Sequence, residues 1–418
     1  MTAHPNLTEA APAIPQTSGT AAQAGEVFRA FFKLGLTSFG GPIAHLGYFR
    51  DELVVRRKWI DEAGYADLVA LCQFLPGPAS SQVSFALGLL RGGPCGAFVA
   101  WAAFTLPSAI ILVLFAYSAA VFDGQIGTGL LHGLKVVAVA VVAQAVWGMA
   151  RTLTPDRERA SIALAAVLIV VSMAGTIGQI AAIVVGALAG LSLCRTAPAA
   201  APGHLKIPVS ERAAGFSLVL FLLLLIGLPV LARALSSQGL ELFASFYRTG
   251  SLVFGGGHVV LPLLQSEVVG QGWADENAFL AGYGAAQAIP GPLFTFAAYL
   301  GAVMKQGPNG PVGALICLLA IFLPGFLLLI GALPFWGRFR SQSSMQAAMR
   351  GANAAVVGLL GAALYDPVWT SAILGPYDFA LALTGFVMLT LWKASPWLVV
   401  LFMVPSGLGL SLLTTPVP

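Results

Sequence analysis

The chain has 418 residues, of which 58% are hydrophobic and only 9% carry a charged side chain. Ordinary soluble domains contain about 25% charged residues, so the composition excludes a soluble globular protein and predicts an all-α polytopic protein in a lipid bilayer. The net charge of +4 gives no indication of nucleic-acid binding, because the basic residues cluster at the ends of apolar stretches.

The first 26 residues predict a disordered tail. They are rich in Ala, Pro and Thr, and they lack the basic region and the apolar core of a signal peptide. We expect this tail to lie in the cytoplasm.

Thirteen apolar stretches follow the tail, and several reach the ~20 residues that a helix needs to cross a bilayer. They span residues 27–49, 67–91, 95–118, 129–150, 160–174, 177–194, 215–235, 242–266, 277–304, 310–336, 346–366, 372–391 and 396–414.

The second half of the chain repeats the first at an offset of 214 to 218 residues. Lys33 matches Arg248, Trp59 matches Trp273, and the glycine pair at 40–41 matches the pair at 255–256. Matching at this density indicates a duplication. The predicted units are a first repeat at 27–194, a linker plus connecting transmembrane helix at 195–241, and a second repeat at 242–418.

Six stretches fall in each repeat, and the stretch 215–235 lies between them. An even number of crossings plus one extra crossing inverts the second repeat relative to the first, which is a common transporter architecture. We therefore predict two inverted repeats.

Lys and Arg residues cluster in loops at 50–58, 151–159, 195–212 and 338–350. If all thirteen stretches cross the membrane, only the cluster at 50–58 falls outside, against the positive-inside rule. That conflict disappears if the first two stretches of each repeat are re-entrant hairpins. We favour nine crossings plus four hairpins over thirteen crossings, and the inversion follows from either arrangement.

Pro-Gly-Pro occurs twice, at 76–78 and 290–292, and each copy lies deep in an apolar stretch. Proline lacks a backbone N–H and clashes with the preceding turn, so each copy breaks its helix. Inside a membrane, a broken helix is tolerated only where it is buried in protein or lines a polar cavity. A break repeated in both halves therefore points to the site of a transported solute, although each copy alternatively only kinks a packed helix.

A helix that begins after a break presents unpaired N–H groups and the positive end of its dipole, which suits an anion. Nearby hydroxyl and amide side chains add donors, and the glycine pairs let the backbone approach a ligand closely. The predicted substrate-binding residues are Lys33, Ser38, Gly40, Gly41, Gln73, Pro76, Gly77, Pro78, Ser80, Ser81, Gln82, Lys135, Arg248, Gly255, Gly256, His258, Gln287, Pro290, Gly291, Pro292 and Thr295.

The charged and titratable members of this set have two interpretations each. Lys33, Arg248 and Lys135 either face the solute or extend to the lipid headgroups. His258 either carries a proton or is a hydrogen-bonded structural histidine. No carboxylate lies centrally in any stretch, so a cation is disfavoured as the substrate and no buried acidic proton relay is predicted.

The sequence contains no HExxH, GxSxG or Walker motif, and its four cysteines have no metal-binding spacing. We therefore predict no enzymatic activity, no cofactor and no metal.

Two motifs recur with small changes in the second half: Phe31-Phe32-x-x-Gly35-x-x-x-Phe39-Gly40-Gly41-Pro42 and Gln73-x-x-Pro76-Gly77-Pro78. In carrying them twice, the chain resembles the chromate ion transporters in their full-length, two-domain form, over roughly residues 25–415. One departure is Gly257, which stands in the second copy where the first has Pro42.

The resemblance implies export of chromate from the cytoplasm across the bacterial inner membrane, driven by the membrane potential or a proton gradient, and hence chromate resistance. Sulfate has nearly the same shape and charge, so the donors alone barely separate the two anions. A permease that imports sulfate or a related oxyanion and a passive anion channel remain as alternatives. The sequence also leaves a homodimer open.

Overall fold

The computed structural model describes residues 20–119, 124–173, 175–194, 207–254, 257–339 and 342–414. Every regular element in these ranges is helical, which confirms the predicted all-α class. Six helices are long and apolar enough to cross a membrane, so the chain is a polytopic membrane protein. They are Ala79–Ser118, Ile126–Leu153, Thr176–Leu193, Glu211–Ala234, Gly310–Arg338 and Ser343–Ala372.

The first helix begins inside the segment predicted to be a tail, because residues 20–26 are helical, while residues 1–19 lie outside the described part of the chain. The helices of the first half are α1 (Thr20–Thr37), α2 (Gly41–Phe49), α3 (Glu62–Phe74), α4 (Ala79–Ala119), α5 (Gly124–Leu153), α6 (Arg157–Ser172) and α7 (Thr176–Leu193), with a π-helical turn, Arg50–Arg56, after α2.

The second half begins with the connecting helix α8 (Glu211–Ala234). It continues with α9 (Gln238–Leu252), α10 (Val260–Val268), α11 (Glu276–Ala288), α12 (Phe296–Val303), α13 (Gly310–Ala332), α14 (Trp336–Phe339), α15 (Ser343–Ala363), α16 (Thr370–Ala372), α17 (Pro376–Thr390) and α18 (Pro396–Thr414).

Short polar side chains start several of these helices, as helix capping requires. The carboxylate of Asp61 accepts the Gly64 N–H at the start of α3, and the carboxylate of Asp156 accepts the Arg159 N–H at the start of α6. These bonds satisfy backbone donors that have no partner within the helix. The side chain of Arg159 also bonds Asp156, and both contacts lower the pKa of that carboxyl below its ordinary value.

All thirteen predicted apolar stretches coincide with helix. Each of the four stretches that we interpret as hairpins contains two helices: α1 with α2, α3 with the start of α4, α9 with α10, and α11 with α12. Gly92 and Gly93 leave the helical conformation within α4, between two predicted stretches. The number of crossings and the inversion of the repeats stay predictions.

The two halves repeat the same close helix packing. α1 packs on α4, and its counterpart α9 packs on α13. A Cβ atom at Gly35 would lie 2.8 Å from the Phe104 carbonyl oxygen, and a Cβ atom at the equivalent Gly250 would collide with the Ile321 carbonyl. The matched glycines therefore allow two helix backbones to approach each other in both halves.

Aromatic side chains join the halves along α4. The rings of Phe85 and Phe326 stack with centroids 4.4 Å apart, and the ring of Phe115 stacks on that of Tyr299 at 5.8 Å. Because α4 follows the first Pro-Gly-Pro, and α12 and α13 follow the second, this contact places the two breaks beside each other.

Candidate functional site

Both Pro-Gly-Pro segments interrupt their helices. α3 ends at Phe74 and α4 begins at Ala79, while α11 ends at Ala288 and only a 3-10 turn, Leu293–Thr295, precedes α12. The central glycines, Gly77 and Gly291, have φ angles of +120° and +106°. Other residues rarely adopt such angles, so both breaks require glycine.

Each break is hydrogen-bonded to the glycine turn of the opposite half. The Gly77 N–H donates to the Val253 carbonyl at 2.7 Å, and the Gly291 N–H donates to the Ser38 carbonyl at 3.0 Å. Ser38 and Val253 are equivalent positions of the repeat. The structure therefore brings both breaks and both turns together through a reciprocal pair of bonds.

The two glycine turns also contact each other. A Cβ atom at Gly257 would lie 3.4 Å from Cγ of Pro42, and these two residues occupy equivalent positions. Two prolines at these positions would compete for the same space. The departure from the motif at Gly257 thus makes room for Pro42. Gly255 and Gly256 lie outside the described residues.

The start of α4 supplies backbone donors beside the first break. The Gln82 N–H bonds to the Pro78 carbonyl at 2.9 Å, so the N–H groups of residues 79–81 precede the first helical bond. The Gln82 amide donates to the carbonyls of Pro76 at 3.0 Å and Gly325 at 2.9 Å. The Gln82 side chain therefore connects the first break to α13 of the other half by hydrogen bonds.

Several buried polar atoms near the breaks have no hydrogen-bond partner among the described residues. They are the hydroxyls of Ser38, Ser81 and Thr105 in the first half and the Thr249 hydroxyl in the second. A buried polar group without a partner costs about 1–3 kcal/mol, and such groups are rare. Ser81 lies in the first turn after the first break, and the carbonyl of Ser38 accepts the N–H of Gly291 in the second, so these two hydroxyls fit a site that binds a polar solute. The Thr295 hydroxyl instead donates to the Pro292 carbonyl at 2.8 Å.

His45 lies in the same region, and our prediction from sequence missed it. Its residue surface is 1% exposed, its Nδ1 atom is 3.4 Å from the Ser80 hydroxyl, and its Nε2 atom has no partner among the described residues. The ring packs edge-on against Phe104 at 5.4 Å between centroids. Its place one helical turn after the Gly-Gly-Pro turn was the signal that could have identified it.

His258 reaches the first glycine turn from the second half. Its Nδ1 atom is 2.8 Å from the Tyr283 hydroxyl, and a Cβ atom at Gly41 would lie 4.0 Å from its Nε2 atom. The structure therefore brings His258 to the site and gives it a hydrogen-bond partner.

The two basic residues that precede the glycine turns are in ion pairs. Lys33 Nζ is 3.0 Å from the Glu52 carboxylate, and Arg248 Nε is 2.9 Å from the Glu267 carboxylate. Both pairs occupy equivalent positions in the repeat, and the two glutamates were missed from sequence. Their matched spacing after Lys33 and Arg248 was the available signal. Lys33 and Arg248 are therefore both held in ion pairs, and Glu52 is shared among Lys33, Arg56 and Arg57.

The Glu267 side chain is 3% exposed and that of Glu52 is 10% exposed. Burial raises the pKa of Glu52, but hydrogen bonds from Lys33 and Arg57 outweigh burial and hold the pKa below its ordinary value. Both carboxylates thus serve as ion-pair partners of the basic residues.

The structure does not bring Lys135 to the breaks, whereas Gln73 lies in the last turn of α3, just before the first break. Lys135 Nζ donates to the Asn277 side chain at 3.0 Å and the Ser371 carbonyl at 3.2 Å. Asn277 lies eleven residues before the end of α11, which is about 16 Å along the helix. Gln73 is exposed. Pro290, Gly40 and the remaining residues of both breaks lie where the breaks and the glycine turns are hydrogen-bonded to each other.

Each helix break is hydrogen-bonded to the other repeat. Buried polar groups without a hydrogen-bond partner lie beside the breaks, and no unpaired fixed charge is identified there among the described residues. These features define a membrane transporter for a polar solute. The family model of the chromate transporters matches residues 25–191 and 240–408. The chain therefore belongs to the chromate transporter family.

Several curated proteins are similar over most of their length. A chromate transport protein of Pseudomonas aeruginosa is 28% identical over 389 residues, which cover 88% of this chain and 87% of that protein. A probable chromate transport protein of Synechococcus elongatus is 28% identical over 339 residues, 80% of this chain and 82% of that protein. A chromate transport protein of Cupriavidus metallidurans is 24% identical over 340 residues, 80% of each. No solved structure matches the chain.

Proposed function

We propose that this chromate transporter exports the anion from the cytoplasm across the bacterial inner membrane, and that the anion binds between the two Pro-Gly-Pro breaks. The observation that carries the proposal is the group of buried, unpartnered hydroxyls around the reciprocal bonds of Gly77 and Gly291. Chromate is a tetrahedral oxyanion, and its oxygens accept hydrogen bonds from hydroxyl and backbone N–H donors.

The energy source that we propose is the membrane potential. In this proposal the bound dianion keeps its charge as it moves, since Lys33 and Arg248 are both held in ion pairs. Outward movement is favoured by about 2.3 kcal/mol per charge per 100 mV with an interior-negative potential. The export step then needs no proton relay.

For the conformational change we propose that the two repeats are inverted and rock against each other about the contact between Pro42 and Gly257. The reciprocal bonds of the breaks support a two-fold relation between the halves. An axis in the membrane plane exposes the same site to either face in turn. The basic loops support a cytoplasmic N-terminus.

Proteoliposomes with the voltage clamped by an ionophore test the proposal. Chromate flux should follow the imposed potential, should continue without a pH gradient, and should fall when sulfate competes. Flux that follows only the pH gradient would refute potential-driven export, and flux of sulfate inward without chromate export would favour the permease. Export should also make cells resistant to chromate, whereas import should make them sensitive.

A further inference from the structure

We infer that His45 binds the oxyanion directly, by donating a hydrogen bond from Nε2 at the first break. The inference rests on the proposed function, because it names a residue of that same site. It adds the imidazole of His45 to a site that also contains His258, hydroxyls, amides and backbone groups.

The position of His45 connects it to both breaks. The ring contacts Ser80 in the first turn after the first break. It also faces the Ser38 carbonyl, which accepts the N–H of Gly291 in the second break. Phe104, which packs against the ring, passes close to Gly291 through its own carbonyl. An anion held between the breaks therefore lies within reach of this imidazole.

The hydrogen-bond role of Nε2 depends on which ring nitrogen carries the proton, because a neutral imidazole that accepts at one nitrogen donates at the other. The Ser38 carbonyl beside the ring accepts only, whereas the Ser80 hydroxyl, 3.4 Å from Nδ1, can donate or accept, so these two neighbours do not fix the tautomer. Nε2 is buried without a partner among the described residues. With the proton on Nε2 and the Ser80 hydroxyl donating to Nδ1, as the inference assigns them, Nε2 requires an acceptor. An oxyanion oxygen supplies that acceptor.

The second half has no equivalent of this group. The residue that matches His45 is Val260, which is fully buried. The nearby His258 is already hydrogen-bonded to Tyr283. The duplicated scaffold thus holds a fully buried imidazole at this position in the first half and a valine in the second.

Three variants of the full-length protein in proteoliposomes test the inference. His45→Phe keeps the ring and its contact with Phe104 but removes the donor, and His45→Gln keeps an N–H donor. His132→Phe is the control, since the His132 ring is held by Asp378, whose carboxylate lies 2.8 Å from Nε2. Each variant is assayed for chromate flux against chromate concentration and for heat stability in detergent.

We expect His45→Phe to raise the half-saturating chromate concentration about 10- to 100-fold, the size of one hydrogen bond to a charged group. Its melting temperature should be unchanged or higher, because a partnerless buried polar group is replaced by an apolar ring. His45→Gln should recover much of the affinity, and His132→Phe should keep it.

The inference is overturned if His45→Phe keeps the affinity of the wild type, or if its melting temperature and its flux fall together. Should the phenylalanine variant not fold, the comparison of His45→Gln with His45→Val decides in the same way. Stabilisation of the wild type and of the variants by added sulfate gives a second readout. Absence of chromate flux in the wild type would refute the proposed function, whereas the sulfate comparison still tests His45 as an anion ligand.

Discussion

The substitution Arg248→Met tests whether the ion pair between Arg248 and Glu267 stabilises the protein or whether Arg248 binds the anion. The Glu267 side chain is 3% exposed and accepts hydrogen bonds from Arg248, Thr176 and Gln271. Removal of the guanidinium leaves a buried carboxylate with neutral donors alone. Breaking a buried ion pair in this way costs about 3–5 kcal/mol.

Lys33→Met is the matched control, because Lys33 is the repeat equivalent of Arg248. Its side chain is 52% exposed, and Glu52 keeps its hydrogen bond from Arg57 after the change. Half-exposed ion pairs contribute about 0–1 kcal/mol. We therefore expect a much smaller loss of stability than in Arg248→Met.

The assay is the midpoint of heat-induced loss of the monodisperse peak in detergent, measured for both single variants and for Arg248→Met/Glu267→Leu. The double variant should regain most of the lost stability, since no buried charge is left unpaired. Its chromate flux should return with the stability if the pair is structural. Equal losses in the two single variants would refute the reasoning, and restored stability without flux would make Arg248 a substrate ligand.

Three further variants test the site. Gly291→Ala should abolish chromate flux but not membrane insertion, because φ is +106° and the new Cβ atom would lie 2.7 Å from the Ser108 hydroxyl. Gly227→Ala is its control, since a Cβ atom there would have no neighbour within 4 Å. Full flux in Gly291→Ala would contradict the need for the break. Gln82→Leu should lower the melting temperature and the flux, since two carbonyls lose their donor at about 1–3 kcal/mol each. Lys135→Ala should leave the half-saturating chromate concentration unchanged. A tenfold rise in that concentration would indicate that Lys135 binds the anion.

The helices were predictable from sequence because their signals are local. Apolar length, Pro-Gly-Pro and the glycine turns at 40–41 act within one stretch of chain, and the structure contains helix at every predicted stretch. The reciprocal partners of the breaks were not predictable as contacts. A bond such as that from Gly291 to Ser38 depends on how two distant segments pack, although the repeat indicated that the two regions belong together.

The contacts of the charged side chains could not be predicted from the local sequence. The stretch 242–266 ends one residue before Glu267, so the sequence places this carboxylate at a boundary, whereas packing against α7 buries it. Lys135 lies well inside its apolar stretch, yet its nearest partners are at the start of α11. Depth along one helix does not determine which neighbours cover a side chain. His45 was missed for the same reason.

The asymmetry between the repeats is concentrated where they meet. Pro42 faces Gly257, and His45 is matched by Val260, while the helix packing at Gly35 and Gly250 stays the same in both halves. Positions far from this meeting point are occupied twice by independent copies, so both copies can keep the same residue. Where the two glycine turns meet, one space is shared by both halves, and the ring of Pro42 requires a small residue at position 257.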